Sequence, residues 1–114
     1  MSHNNSENRD PLVKAQLQLQ RQHLSEWQLL IALEIENQFA LKEKFIQELN
    51  QHPAGINYKV QATLTTQHVV ELNMLKEINR KKRAFVKERQ AREKAQLNDA
   101  IAESINKATT KSSF

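Results

Sequence analysis

The chain has 114 residues, with 17 Lys or Arg, 13 Asp or Glu, one Gly, two Pro and no Cys. The lack of Cys excludes disulfide scaffolds and thiolate metal sites, and a single Gly excludes phosphate-binding glycine loops. Gln, Glu, Lys, Leu and Ala dominate and favour helices, so the composition predicts an all-α, non-enzymatic protein without a cofactor. We expect one helical domain at 10–107, between a disordered N-terminus at 1–9 and a frayed tail at 108–114.

The sequence also predicts where in the cell the protein is found. No apolar run approaches the roughly 20 residues that a membrane-spanning helix needs. The first ten residues, MSHNNSENRD, are polar and lack the apolar core of a signal peptide. We therefore expect a protein of the cytoplasm.

A leading helix is predicted to start at Asp10 and Pro11, because Asp caps helices and Pro is favoured at the first helical position. Ser25 and Gln28 then have the spacing of a capping box. The sequence therefore predicts that the leading helix kinks or restarts near Ser25.

The segment from Trp27 to Asn50 has the clearest helical pattern in the chain. Its apolar residues recur at spacings of three and four: Trp27, Leu30, Ile31, Leu33, Ile35, Phe39, Leu41, Phe45, Ile46 and Leu49. They form a face that is broader than the seam of a simple coiled coil. Such a face is expected to contact more than one neighbouring helix.

A corner follows this helix. Pro53 and Gly55 end it, and Asn57 is placed to cap the next one, which is predicted from about Tyr58 to Lys107. Because a short turn between long helices makes them antiparallel, the sequence predicts a long helical hairpin. A leading helix and a short trailing helix thicken it into a small bundle.

The predicted register of this hairpin follows from folding the chain about Ala54. It places Trp27 opposite Lys82 and Leu24 opposite Phe85.

A basic run at Asn79–Lys94 contains eight Lys or Arg against two Glu. It resembles the basic region of a leucine-zipper factor, but such a region precedes its coiled coil, whereas here the apolar pattern comes first. The heptad positions after the run, Ser104 and Lys111, cannot form a zipper. We therefore expect a solvated helix face, with Phe85 and Val86 turned inward, rather than a surface that binds DNA or RNA.

Two His–Glu pairs lie one helical turn apart, His23 with Glu26 and His68 with Glu71. Each pair has the spacing of two metal ligands, but no third ligand joins either at helical spacing. The sequence therefore favours ordinary polar positions over a metal site.

Four motifs occur in a characteristic order: Glu26-Trp27-Gln28-Leu29-Leu30, Pro53-Ala54-Gly55-Ile56, Leu75 with Arg83, and Lys94-Ala95-Gln96-Leu97-Asn98-Asp99-Ala100. This order, from about Leu12 to Ile105, resembles the FliT family of bacterial flagellar export chaperones. The chain departs from it in the density of the basic run and at Ile101, where some members carry an aromatic residue.

The resemblance implies a helical bundle that holds the flagellar filament-cap protein FliD unassembled and delivers it to the flagellar type III export apparatus. It also implies contacts with the export ATPase complex and, in some bacteria, with the flagellar master regulator. A coiled-coil structural or stalk component of an export machine is the main alternative, and a nucleic-acid-associated regulator is a further one. A homodimer is also open.

Three sets of candidate site residues follow. The broad apolar face predicts a client-binding groove at Trp27, Leu30, Ile31, Phe39, Phe45, Leu64 and Leu75. A small apolar patch at Leu97, Ile101 and Ile105 is either core or a regulatory cover for that groove. The basic cluster at Arg80, Lys81, Lys82 and Arg83 is a candidate docking surface for an acidic partner.

Overall fold

A computed structural model of the protein describes residues 3–52 and 57–112, and the side chains of 11–52 and 57–109. Helix α1 is His3–Asn50, with 48 residues, and helix α2 is Tyr58–Ser112, with 55 residues. The two helices form a hairpin, and the described part of the chain contains no strand. The predicted all-α hairpin is confirmed, and its corner at 53–56 lies outside the described residues.

Both helices are longer than predicted and neither is interrupted. Helix α1 begins at His3 and contains Pro11, so the start predicted at Asp10 and the restart predicted at Ser25 are both wrong. Extending an existing helix costs far less than nucleating a new one, and no second Pro or Gly stops it. The leading and trailing segments are therefore the ends of α1 and α2, which include most of 1–9 and 108–114.

The capping of α2 agrees with the prediction. The Asn57 side-chain oxygen accepts a hydrogen bond from the Lys59 backbone N–H at 3.1 Å. Its backbone carbonyl accepts hydrogen bonds from Val60 and Gln61 at 3.0 and 3.1 Å. Asn57 thus satisfies N–H groups that the first turn of a helix leaves without partners.

The chain divides into two compact units. Unit 1 combines Met1–Trp27 with Phe85–Phe114, and unit 2 is Gln28–Ala84. Each unit pairs a segment of α1 with a segment of α2.

The predicted register is wrong by about two helical turns. Trp27 is paired with Gln90 rather than Lys82, and Phe85, which was expected to turn inward, is 62% exposed. Side chains tilt toward the N-terminus of their own helix, so those of α1 lean away from the corner and those of α2 lean back toward it. Each α1 side chain therefore meets an α2 residue farther from the corner than a symmetric fold predicts.

The few side chains that are buried between the two helices are polar. Among the described side chains no hydrophobic residue is buried, whereas Glu34, Asn79 and Gln90 are only 5%, 7% and 8% exposed. Apolar residues on the inner faces are half-buried at most. Two helices alone therefore leave much apolar surface in contact with solvent.

Candidate functional site

Unit 1 is held together by a hydrogen-bond chain centred on Gln90. The indole N–H of Trp27 donates to Gln90 Oε1 at 2.8 Å, and Gln90 Nε2 donates to the backbone carbonyl of His23 at 3.1 Å. Buried amides cost free energy unless their hydrogen bonds are made, and these are made. These hydrogen bonds therefore fix which residues of α1 and α2 face each other in unit 1.

A second polar cluster in unit 1 joins His23, Glu26 and Glu93, whose candidate ligand atoms lie within 4.8 Å of one another. Arg89 donates hydrogen bonds to both carboxylates, to Glu26 and, at 3.1 Å, to Glu93. The His23 Nε2 atom is 3.8 Å from Glu93 and has no hydrogen-bond partner. Because a positively charged guanidinium already forms hydrogen bonds with both carboxylates, the cluster is an ion-pair network and a poor site for a cation.

Glu93 is the residue that sequence reasoning missed in this cluster. It belongs to the other helix, so no spacing around His23 and Glu26 could reveal it. A correct register, with Trp27 opposite Gln90, would have placed it there.

Within the described residues of unit 2, the buried carboxylate of Glu34 forms an ion pair with exposed Arg83. Arg83 donates two hydrogen bonds to the Glu34 carboxylate, from Nε at 2.7 Å and from a terminal nitrogen. These hydrogen bonds lower the pKa of Glu34, with a smaller electrostatic contribution from the same guanidinium, whereas burial acts in the opposite direction. The same pair raises the pKa of Arg83.

The buried position of Glu34 was also missed, although the sequence contains a signal for it. Glu34 lies four residues after Leu30 and seven before Leu41, on the same helical stripe. Asn79 likewise follows Leu75 by four. A polar residue that interrupts an apolar stripe at the correct spacing is a candidate for a buried, paired group.

The basic cluster predicted as a docking surface divides into two kinds of residue. Arg83 pairs with buried Glu34, and Arg80 pairs with exposed Glu77 at 3.0 and 2.6 Å, which lowers the pKa of Glu77 through the hydrogen bonds. Lys81 and Lys82 are exposed and form no ion pair among the described residues. Only the two lysines therefore remain available to a partner.

The structure also separates the seven residues predicted to form a client groove. Ile31 and Phe39 are exposed, whereas the other five are half-buried: Trp27, Leu30, Phe45, Leu64 and Leu75. Phe45 stacks on His68, with ring centroids 4.4 Å apart. The predicted set therefore does not lie on one open surface.

Unit 2 has an open groove between its two helix segments, with a volume of about 430 Å³. Its walls are mostly apolar and are formed by Asn37, Ala40, Leu41, Lys44, Glu71, Met74, Leu75 and Ile78. Lys44 and Glu71 form an ion pair across it at 3.2 Å. We call this feature the unit 2 groove.

The opposite side of α1 in unit 2 carries a separate apolar row, formed by Ile31, Ile35, Phe39 and Ile46, all of them exposed. Residues two apart lie on nearly opposite sides of a helix, so Ile35 and Phe39 point away from groove-lining Asn37 and Leu41. We call these four residues the outer row. Phe39 is 62% exposed, the same value as Phe85 in unit 1.

The predicted regulatory patch lies in unit 1. Leu97 and Ile101 are half-buried, and Leu97 lines a pocket of about 300 Å³ together with Leu19. Ile105 is exposed. Leu97 and Leu19 thus lie on the walls of one pocket within unit 1.

Comparisons of the chain with protein-family models, curated proteins and solved structures found no match. Within the described residues, neither α1 nor α2 contains a stretch apolar enough, over sufficient length, to cross a membrane.

Proposed function

We propose that this protein acts by binding an amphipathic helix of another protein along the outer row of unit 2. The observation that carries the proposal is the exposed row itself, with Ile31, Ile35 and Phe39 at successive helical turns. An amphipathic helix buries such a row with apolar side chains that are also one turn apart. The proposed partner is therefore a helix rather than an extended peptide.

The charges beside the outer row are of both signs, with Glu43 one turn after Phe39 and two lysines on the same side of unit 2. Lys42 lies two positions from groove-lining Ala40 and Lys44, and therefore on the same side of α1 as the row. Lys76 lies two positions from Met74 and Ile78, on the matching side of α2. Neither lysine has an ion-pair partner among the described residues.

The kind of partner is proposed from the motifs that resemble the FliT family. We propose a cytoplasmic export chaperone that binds a FliD-like filament-cap subunit, keeps it unassembled and delivers it to the flagellar type III export apparatus. The exposed row supports this proposal, because a chaperone must present apolar surface for its client while staying in solution. Contacts with the export ATPase complex and the flagellar master regulator belong to the same proposal.

The test is titration calorimetry of the full chain with the C-terminal segment of the filament-cap protein from the same organism. Phe39→Ser should weaken binding by at least tenfold, because it removes the centre of the row. Phe85→Ser is the matched control, since it removes an equally exposed Phe from unit 1 and should leave the affinity unchanged. Equal losses in the two variants, or no binding by the parent chain, would contradict the proposal.

The regulatory role proposed for Leu97, Ile101 and Ile105 has its own test. If the patch competes with the client, deleting the residues after Gln96 should tighten client binding. Unchanged or weaker affinity would leave these residues a purely structural role, with Leu97 in the pocket that it shares with Leu19.

Docking of an acidic partner through the basic cluster is best tested at Lys82. Reversing the charge of all of Arg80–Arg83 would also break the pair between Arg83 and buried Glu34. Lys82→Glu avoids this loss, because Lys82 has no ion-pair partner among the described residues. It should reduce capture of the export ATPase complex while client affinity stays the same.

A second candidate is a coiled-coil structural or stalk component of an export machine. The continuity of α1 and α2 favours it, since 48 and 55 residues run without a break. A stalk is expected to bind along its length, so Phe85→Ser would then weaken binding as much as Phe39→Ser does.

A further inference from the structure

We propose that unit 1 binds an acidic amphipathic helix of another protein along one side of its helix pair. Two rows of side chains, one on each helix, border the same pocket and form this surface. The surface belongs to unit 1, so it is separate from the outer row of unit 2 and from the client proposed there.

The row on α1 is mostly apolar. Its members recur at spacings of four, three and four, which keep them on one face of the helix: Val13, Leu17, Gln20 and Leu24. The three apolar members are all exposed. Apolar side chains at this spacing are buried when the apolar stripe of another helix packs against them.

The row on α2 carries positive charge. From Lys87, spacings of four and three continue without a break: Lys87, Ala91, Lys94, Asn98, Ile101 and Ile105. Lys87 and Lys94 are exposed and form no ion pair among the described residues. Ile105, at the far end of the row, is also exposed.

Both rows lie on the same side of unit 1. The pocket of about 300 Å³ between the helices has Gln20 of the α1 row in its wall, together with Lys94 and Asn98 of the α2 row. A trough between two helices accepts the side chains of a third helix, whereas a flat bilayer surface leaves such a trough unfilled. The shape therefore favours a helix as the occupant.

The charge of the surface defines what kind of helix fits. Glu26 and Glu93 form hydrogen bonds with Arg89 and line a different pocket with Gln22. Gln22 is two positions after Gln20, and therefore on nearly the opposite side of α1. The other described carboxylates of unit 1 are each one or two positions from a member of the α2 row, so none lies in it: Glu88, Asp99 and Glu103. The surface thus combines apolar side chains with positive charge alone, which favours a partner helix with acidic residues.

The register shows where the acidic residue of the partner belongs. Because Trp27 pairs with Gln90, Leu24 and Lys94 lie at about the same level of the two helices. Val13 and Ile105 lie together at a level about three turns away, where both helices offer apolar side chains. The partner helix therefore has an apolar stripe along its length and acidic residues beside the stripe at the end that meets Lys94.

Fluorescence anisotropy with two labelled peptides of about 20 residues tests the proposal on the full chain. Both peptides are helical and have the same leucine stripe, but one has Glu and the other Lys beside it. The parent protein should bind the Glu peptide at least tenfold more tightly, and Lys94→Glu should abolish this preference. Leu24→Ser should weaken binding of both peptides, because it removes an apolar contact from the α1 row.

The matched controls lie on the same helix but outside the row. Arg92→Glu makes the same change of charge two positions before Lys94, and Phe85→Ser removes an exposed ring two positions before Lys87. Both variants should bind the Glu peptide as the parent does, and so should Phe39→Ser, which removes the centre of the outer row. Equal affinity of the parent for the two peptides, or equal losses in Lys94→Glu and Arg92→Glu, would overturn the proposal.

A bilayer is the other surface that apolar and basic side chains together could bind. Co-sedimentation with vesicles of phosphatidylglycerol and phosphatidylcholine should leave the parent protein in the supernatant. Recovery of the parent protein with the vesicles, lost in Lys94→Glu but not in Arg92→Glu, would overturn the choice of a helix and assign the surface to a membrane.

Discussion

Units 1 and 2 are built from the same two helices but differ in how their polar side chains are paired and how many apolar side chains they expose. In unit 1, Gln90 and Arg89 of α2 form hydrogen bonds with α1, Gln90 to Trp27 and the His23 carbonyl and Arg89 to Glu26. Among the described residues of unit 2, exposed Arg83 pairs with buried Glu34 between the helices, while many apolar side chains are exposed. Of the sixteen exposed large hydrophobic residues among the described side chains, eleven belong to unit 2.

This difference indicates which part of the chain needs a partner. Paired polar groups fix the alignment of two helices but contribute little net stability, because each group gives up its hydrogen bonds to water. Exposed apolar side chains gain stability only when another surface covers them. The polar groups of unit 1 therefore align the two helices with each other, and unit 2 presents the apolar surface that we propose binds the client.

The largest effect is expected from removing the centre of the unit 1 network. Trp27→Ala should lower the free energy of unfolding by about 2–3 kcal/mol, because it removes a large half-buried ring and leaves buried Gln90 without its donor. Trp27→Phe keeps most of the ring and loses the hydrogen bond, so we expect about 1 kcal/mol. Urea denaturation followed by circular dichroism measures both, and a Trp27→Phe variant as stable as the parent protein would show that Gln90 does not depend on the indole N–H.

A smaller effect is expected from breaking the ion pair of unit 2. Arg83→Met leaves buried Glu34 charged and unpaired, so the thermal midpoint should fall by roughly 5 °C. The matched control is Arg80→Met, which breaks a pair with exposed Glu77 and should change the midpoint by about 1 °C at most. Differential scanning calorimetry would contradict the account if the two variants fell equally.

The same pair predicts a dependence of stability on pH. The pKa of Glu34 is lower in the folded state than its ordinary value of 4.5, so its stabilisation is present above pH 4.5 and is lost as the pH falls through the lower folded value. Glu34→Gln should therefore differ from the parent protein in urea midpoint at pH 7 and much less at pH 3. Glu77→Gln, on the exposed pair, should change little at either pH.

The smallest effect is expected at the start of α2. Asn57→Ala removes the side-chain acceptor of the Lys59 N–H and should cost about 1 kcal/mol. Asn57→Asp keeps an acceptor and should cost a few tenths at most. Denaturant midpoints for the two variants check this, and an Ala variant as stable as the Asp variant would show that the cap adds nothing.

The helices, the hairpin and the Asn57 cap could be predicted because each depends on residues close together in sequence. Apolar residues at spacings of three and four define α1, and the Pro53 and Gly55 pair marks its end. The unbroken ends of both helices could not be predicted, since the capping signals at Asp10 and Ser25 occur where extending the helix costs less than stopping it.

The binding surfaces were harder to predict because they depend on contacts between helices. The broad apolar face of α1 correctly indicated a surplus of apolar surface, but it did not show that Phe39 faces solvent while Phe45 stacks on His68. That distinction depends on how α1 is rotated about its own axis against α2, because residues one turn apart stay on the same face of a helix.

The most direct test of the account compares two Phe residues that are equally exposed in the free chain, Phe39 in unit 2 and Phe85 in unit 1. Hydroxyl-radical footprinting, with and without the C-terminal segment of the filament-cap protein, measures how accessible each ring remains. We expect the labelling of Phe39 to fall at least fivefold on binding, while that of Phe85 stays unchanged. Protection of Phe85 with no change at Phe39 would contradict the claim that unit 2 is the unit that binds.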